Sequence, residues 1–367
     1  MKWQDYIREN VTTAEELREP LRLTQEEYEA IREEIALFPM SVTRYYLSLI
    51  DPEDPDDPIR KMAIPAGGVE LTDDGILDTS GEASNTKLQG LQHKYQQTVM
   101  VLTTPECAMF CRHCFRRRLV GKASKEIVVD MDAVVDYIRA HPQVSNVLLS
   151  GGDSLMLTTA RIGQWLSKLS ELEQLDFIRF GTRTPVTFPQ RILSDPELME
   201  TLAVYQKKKQ IYVVTHFNHP KEITDESRAA VKALQQIGII VKNQTVLMRG
   251  VNDNPVVLGN LLKQISALGI VQHYIFQCRP VKGVKSRFQV PLSEANDIVQ
   301  AALAMQNGLA KSADFTMSHV TGKIRILGKT GDGNLLFQYK QAKDPRNIGK
   351  LFTLPVDPTQ TWLPEKI

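Results

Sequence analysis

Hydrophobic positions along this chain change their rhythm twice. Up to about residue 50, apolar residues recur at helical spacing, as in Tyr28, Ile31, Ile35 and Leu37. Thr13 precedes Glu16, and Thr24 precedes Glu27, at the three-residue interval of a capping box, so each threonine predicts a helix start. The run DPEDPDDP at 51–58 cannot continue a helix and ends this region. Residues 59–95 are rich in Gly, Asp, Ser and Asn and read as an irregular wrap. From residue 99 onwards, short β-branched runs recur at 99–104, 146–152, 177–183, 211–217, 239–248 and 273–278. Helical periodicity fills 131–140, 162–172, 196–207, 225–237 and 255–268.

Strands alternating with helices predict βα units, a parallel sheet and right-handed crossovers. Six units fall short of the eight in a closed barrel. The expected fold class is therefore α/β, a partial TIM-like (β/α)6 barrel left open on one side. A helix over 292–308 and short strands at 315–320, 323–328 and 334–340 predict a small C-terminal α+β cap, with a hairpin turn at 329–333. The expected organisation is an N-terminal helical arm and wrap over 1–95, a barrel over 96–290 and the cap over 291–367.

Composition narrows the class. With 42% hydrophobic and 24% charged residues in a chain of 367, the sequence is that of a globular protein rather than a disordered one. Forty-four basic against 43 acidic residues give a net charge of +1, which excludes a global attraction to nucleic acid or to an anionic membrane. The first twenty residues hold no apolar run, and no window offers the roughly 18 or more apolar residues of a membrane span. Four cysteines, three of them within eight residues, do not make a disulfide framework. A reducing cytoplasm is the expected location.

The unusual residues fall at or near the C-terminal ends of the predicted strands. They are the cysteine loop 107–114, SGGD at 150–153, GTRTP at 181–185, THFNHP at 215–220, Asn243 with Gln244, and QCRP at 277–280. In a parallel barrel those ends share the face on which loops build active sites. Cys107, Cys111 and Cys114 form C-x₃-C-x₂-C on one loop, and three thiolates can converge on three corners of a [4Fe–4S] cubane, leaving one iron open. A zinc site would instead recruit His113 or Cys278, without the second knuckle that structural zinc normally uses. Arg116, Arg117, Arg118 and Lys122 can also be read as a solvated basic patch that touches RNA, though no aromatic platform lies nearby.

The three-cysteine loop after the first barrel strand is the signature of the radical S-adenosylmethionine (SAM) superfamily. DPIRKMAIPA, CRHCFRRRLVGK, LLSGGDSL, FGTRTPVTFPQRI, VVTHFNHPKEIT and NQTVLMRGVND resemble, in the same order, segments of the lysine 2,3-aminomutase family, over about residues 55–328. The resemblance implies an isomerase in which the cluster cleaves SAM to a 5′-deoxyadenosyl radical. That radical would take a hydrogen from C3 of an amino acid joined to pyridoxal 5′-phosphate (PLP), and the amino group would move from C2 to C3. On this resemblance Cys107, Cys111 and Cys114 hold the cluster, and Ser150, Gly151, Gly152 and Asp153 form the turn that binds the SAM ammonium. Thr182, Arg183, His216 and Gln244 surround SAM or lie between it and PLP. Arg116 grips the substrate α-carboxylate, Lys323 bonds covalently to PLP with Gly322 admitting the ring, and Lys94 and Tyr95 contact the PLP phosphate. A flavodoxin or ferredoxin as electron donor, a small-molecule amino acid as substrate and a homodimer are further implications.

Four departures from the family pattern shape the expectation. The glycine run before the PLP lysine is replaced by Ser318-His-Val-Thr-Gly322. A second phosphate arginine is Thr98. Zinc-binding cysteines of larger homologues are absent, with Asn254 at one of their positions, so no structural zinc is expected. Finally, the acid that would hold a substrate lysine ammonium is Arg279, and no acid lies between Thr316 and Gly322, Asp314 being within reach only in a shifted register. An arginine facing an ammonium is repulsive, so Arg279 points to a substrate other than lysine. Two alternatives stand beside this reading: a radical SAM enzyme that has lost PLP and abstracts hydrogen elsewhere, and a non-catalytic zinc or RNA-binding protein.

Overall fold

A computed structural model describes residues 2–68, 74–122 and 124–367. Residues 69–73 of the predicted wrap lie outside the described residues. Among the described residues twelve strands form one sheet in which the pairing order is the chain order. They are β1 (Thr86–Leu88), β2 (Leu91–Tyr95), β3 (Thr98–Thr104), β4 (Asn146–Gly151), β5 (Phe177–Gly181), β6 (Gln210–Thr215), β7 (Ile240–Leu247), β8 (Val271–Gln277), β9 (Asp314–His319), β10 (Gly322–Lys329), β11 (Leu335–Ala342) and β12 (Leu351–Leu354).

Strands β3 to β9 pair in parallel, each with the next. The remaining pairs at both ends of the sheet are antiparallel. β1 and β12 do not pair, so the sheet is an open, partial barrel. The six runs legible in the sequence are β3 to β8. The 314–319 segment, expected to start a separate cap, is a seventh parallel strand against β8, because helix Leu292–Ala304 serves as one more crossover. The wrap is less irregular than its composition suggests, since 86–88 and 91–95 pair as β1 and β2.

Local chemistry explains these elements. Crossover helices Met131–Arg139, Thr159–Ser170, Pro196–Gln206, Asp225–Gln236 and Pro255–Ala267 start behind Asp130, Thr158, Asp195, Thr224 and Asn254. Each of those side chains accepts a first-turn backbone N–H. Met131–Arg139 buries Met131, Val134, Val135 and Ile138, the single stripe of a helix packed on a sheet. In β7, Val241, Asn243, Thr245 and Leu247 are buried while Lys242, Gln244 and Val246 are half-buried. Alternate residues thus face the helices and the hollow of the barrel. Both predicted capping boxes form in the arm, at Thr13 with Glu16 and at Thr24 with Glu27. Among the described residues no helix is long and apolar enough to cross a membrane.

Candidate active site in the hollow of the half-barrel

The loop after β3 carries the three cysteines, and the N-terminal arm holds it in place. Phe110 N donates to Ser41 O at 2.9 Å, Arg112 N to Met62 O at 2.9 Å, and Asn10 Nδ2 to Ala108 O at 2.8 Å. Burial pushes the Cys107 thiol well up, and Asp153, Cys114 and Cys111 add to the effect. Burial, then Cys111, lifts Cys114 to about 11. Cys107 and Cys114 therefore lie in a low-dielectric pocket, and a metal must displace their protons to bind there. Among the described residues no three His, Cys, Asp or Glu side chains gather as for a single ion. Cys107 feels both Cys111 and Cys114, so the three thiols are neighbours on one loop, and in a cluster each sulfur would take its own iron. Arg183 Nη1 donates to Cys111 Sγ at 2.9 Å. Cys278 sits apart at the end of β8, buried, with its thiol on Arg279 O at 3.9 Å. His113 faces Arg183 and His216, and its buried Nδ1 has no hydrogen-bond partner.

The SGGD turn closes over this loop. Gly151 has φ 120°, and a Cβ there would meet Thr104 O at 2.4 Å; at Gly152 it would meet Glu106 O at 2.3 Å. The room these glycines make is taken by the cysteine loop itself. Gly152→Ala is thus expected to push residues 105–106 and shift Cys107, costing about 1–3 kcal/mol. Iron content after anaerobic reconstitution, measured beside a denaturation curve, checks it. Asp153 accepts backbone N–H groups of Leu155 at 3.0 Å and Arg183 at 2.6 Å, and burial raises its pKa. The carboxylate that was expected to supply charge to the SAM ammonium is therefore also the strut that fixes Arg183. Ser150 Oγ accepts from Arg116 Nη1 at 3.0 Å.

Arg183 carries the connections onward. Its Nε donates to His216 O at 3.0 Å, and Nη2 pairs with buried Glu222 and donates to Tyr46 OH at 3.2 Å. His216 is held down to about 4 by burial and by Arg183. Its Nδ1 lies 2.9 Å from Gln244 O, which can only accept, so the proton sits on Nδ1 and Nε2 is left as an acceptor. Thr182 Oγ1 lies 2.9 Å from Thr184 Oγ1 and hydrogen-bonds Asp153. Thr215 Oγ1, at the end of β6, is buried and unpartnered. Together with His113 Nδ1 it leaves polar atoms that a polar ligand would satisfy.

On the other side of the hollow stand the cations. Arg116 Nε and Arg118 Nη2 grip the two oxygens of buried Glu82 at 2.9 and 2.5 Å. Burial would raise Glu82, but Arg116, Arg118 and Arg279 hold it down to about 2. The guanidinium carbons of Arg116 and Arg279 lie 4.5 and 3.9 Å from the centre of the Phe115 ring, and Arg279 Nη1 donates to Ser80 Oγ. Burial pulls Arg279 down to about 10 against the attraction of Glu82. Lys94 donates to His319 O at 2.7 Å and Ser80 O at 3.3 Å, and burial lowers it to about 7. Tyr95 lies beside it, its phenol pushed up by burial. Lys323 Nζ stands 4.4 Å from the Tyr274 ring centre and 5.7 Å from that of Phe276. Burial, then Arg179, Arg279, Lys340 and Lys94, lowers Lys323 to about 7.

Two sequence expectations change here, and one site residue was missed. Gly322 admits the backbone of β11 rather than a ring, since a Cβ would meet Gln341 O at 2.2 Å. Asp314 is committed to Arg325, at 2.9 Å from its Nε, and to Lys340, so it is not free for a substrate ammonium. Glu82 went unnoticed in the sequence because a single acid in a Gly/Ser/Asn-rich stretch has no pattern; its partners come from residues 34 and more positions away.

An open parallel barrel whose first strand leads into three clustered thiols defines a class, the radical SAM enzymes, and the Radical SAM superfamily model matches residues 101–258. Closer relatives refine that class. The L-lysine 2,3-aminomutase of Clostridium subterminale is 39% identical over 309 residues, covering 83% of this chain and 73% of that one. The L-lysine 2,3-aminomutase of Acetoanaerobium sticklandii is 38% identical over 310 residues, covering 84% and 73%. The glutamate 2,3-aminomutase of Clostridioides difficile is 37% identical over 314 residues, covering 84% and 72%. The chain belongs to the lysine 2,3-aminomutase family of radical SAM enzymes, an isomerase family. Membership implies a [4Fe–4S] cluster and SAM, and the thiol trio fits that cluster.

Proposed function

We propose that this protein is a PLP-dependent 2,3-aminomutase whose substrate side chain ends in a carboxylate or a neutral acceptor rather than an ammonium. The observation that carries the reading is Lys323, a lysine lowered to about 7, resting on two aromatic rings and hydrogen-bonded to no carboxylate among the described residues. A half-deprotonated amine among surplus cations fits an anionic aldehyde cofactor. When bound, the cluster with SAM supplies a carbon radical and PLP supplies the stabilisation that lets an amino group migrate.

The chain's own residues do the rest. Arg116 binds the α-carboxylate through its planar fork, and Glu82 fixes the orientation of that fork. Arg183 neutralises charge beside Cys111 and carries His216 on its far side. His216 stays neutral and offers Nε2 as an acceptor. Phe115, Tyr274 and Phe276 exclude water from the reacting carbons. Arg279 meets the distal end of the substrate, where an ammonium would be repelled and a carboxylate would be paired.

Anaerobic reconstitution followed by turnover of lysine, glutamate, arginine and ornithine tests the proposal. Glutamate or another non-ammonium side chain should turn over fastest; lysine clearly ahead refutes the role given to Arg279. A preparation that stays colourless and releases no 5′-deoxyadenosine with dithionite refutes the whole reading. Arg279→Gln should lower kcat/KM for the preferred acidic substrate roughly 10–100-fold, mostly through KM, the effect of one lost charged hydrogen bond.

A further inference from the structure

Below the substrate-facing cations lies a second cationic group that the family resemblance does not assign. Arg179 on β5 pairs in register with Tyr212 on β6, and Lys242 on β7 stands 5.4 Å from the Tyr212 ring centre. Lys340 stands 4.9 Å from the Tyr274 ring centre, the same ring that carries Lys323. Arg325 completes the group. Arg179, Lys242, Lys340 and Lys323 together hold nearby His273 far down, at about 3, after burial. Among the described residues Asp314 is the one acid paired with them, and it is shared by Arg325 and Lys340. Four guanidinium and ammonium groups against one carboxylate leave a surplus of about three positive charges in a partly dry space, a costly arrangement unless an anion enters.

Arg179 is the focus of this group. It is largely buried, its Nε has no hydrogen-bond partner, and burial lowers its pKa to about 10. Its Nη2 donates to Asn146 Oδ1 at 2.6 Å, and the same oxygen accepts from Thr98 Oγ1 at 3.3 Å. Arg179 therefore places its guanidinium beside the position where the family pattern carries a phosphate arginine and this chain carries Thr98. Lys94, the other expected phosphate contact, already directs two of its three donors to backbone carbonyls.

We infer that Arg179, with Lys242 and Lys340, forms a phosphate seat in the lower half of the hollow and takes over the work of the arginine that Thr98 replaces. The phosphate is that of PLP, so the assignment of the ligand rests on the proposed function, whereas the seat itself does not. Arg179 offers a fork with a free Nε–H, the donor geometry that matches two phosphate oxygens. Lys242 and Lys340 add charge from the neighbouring strands. The ring shared by Lys323 and Lys340 puts the covalent anchor and the seat against one aromatic floor.

Fluorescence titration of the full-length apoprotein with PLP, with pyridoxal and with inorganic phosphate tests this. Arg179→Gln should weaken PLP binding about tenfold or more and Lys242→Gln by a smaller factor, while pyridoxal affinity stays within about twofold. A purely structural role for Arg179 would weaken PLP and pyridoxal alike and overturns the seat. So does a larger loss of PLP affinity in Lys94→Gln than in Arg179→Gln. If the wild-type protein binds inorganic phosphate but not PLP, and Arg179→Gln abolishes that binding, the seat stands and the PLP reading falls. Binding of neither ligand by the wild-type protein overturns the seat.

Discussion

Lys323→Ala is expected to abolish amino-group migration, with turnover falling by about 10³-fold or more, the scale of losing a covalent anchor. The yellow absorbance of bound PLP should vanish while iron content stays at the wild-type level, because the thiols stand on the loop after β3 and Lys323 on β10. Assayed turnover and the visible spectrum, read together, check this; full activity in the variant would leave an enzyme that does not use PLP. The pH dependence follows from the same side chain. With Lys323 at about 7, its ammonium cannot attack an aldehyde below that pH and its free amine can above it. Capture of added PLP should rise through pH 7 to a plateau. Because the folded value lies below the usual 10.5, the unfolded chain binds this proton more tightly between the two values. Stability of the cofactor-free protein should therefore increase with pH over that window.

Glu82→Ala should produce the largest loss of stability among single substitutions in the hollow. It leaves Arg116, Arg118 and Arg279 without their shared counter-ion in a buried setting, a loss of about 3–5 kcal/mol. Chemical denaturation of the apoprotein reads it. Glu82→Gln keeps the shape and removes the charge, so it separates packing from electrostatics. The acid response has a definite sign: the folded carboxyl is held at about 2, below its usual 4.5, so its contribution is complete above 4.5 and lost as pH falls towards 2. The glutamine variant should flatten that window. A wild-type acid transition in the glutamine variant would remove Glu82 from the account.

Much of the barrel was legible because the crossover helices carry helical periodicity and the strands between them are short β-branched runs. The strand at 314–319 was legible as a strand of the cap, but its place as the seventh parallel strand was not, because DFTMSH has none of the Val/Ile density of β3 or β6. Nor were β1 and β2, whose TKL and LQHKY carry no alternation; their pairing comes from β3 alongside. The thiol trio could be read from spacing, since Cys107, Cys111 and Cys114 are local to one loop. Glu82 and Arg179 could not, because their meaning lies in partners brought together from separate strands and from the wrap. Asp153 shows a third case: its motif was visible, yet its bond to the Arg183 amide emerges only when β4 and β5 are side by side.

The continuity of the sheet across β9 and β10 makes the lysine side of the hollow sensitive to counting. Lys323 lies opposite Ser318 in the hairpin ladder, and both side chains share one face because strand neighbours alternate. Deleting a single residue ahead of Lys323 inside that ladder would turn its amine out through the back of the sheet, whatever residue was removed. Length polymorphism among natural variants should therefore gather in connections such as 305–313 and be purged from the eight or so positions leading up to this lysine.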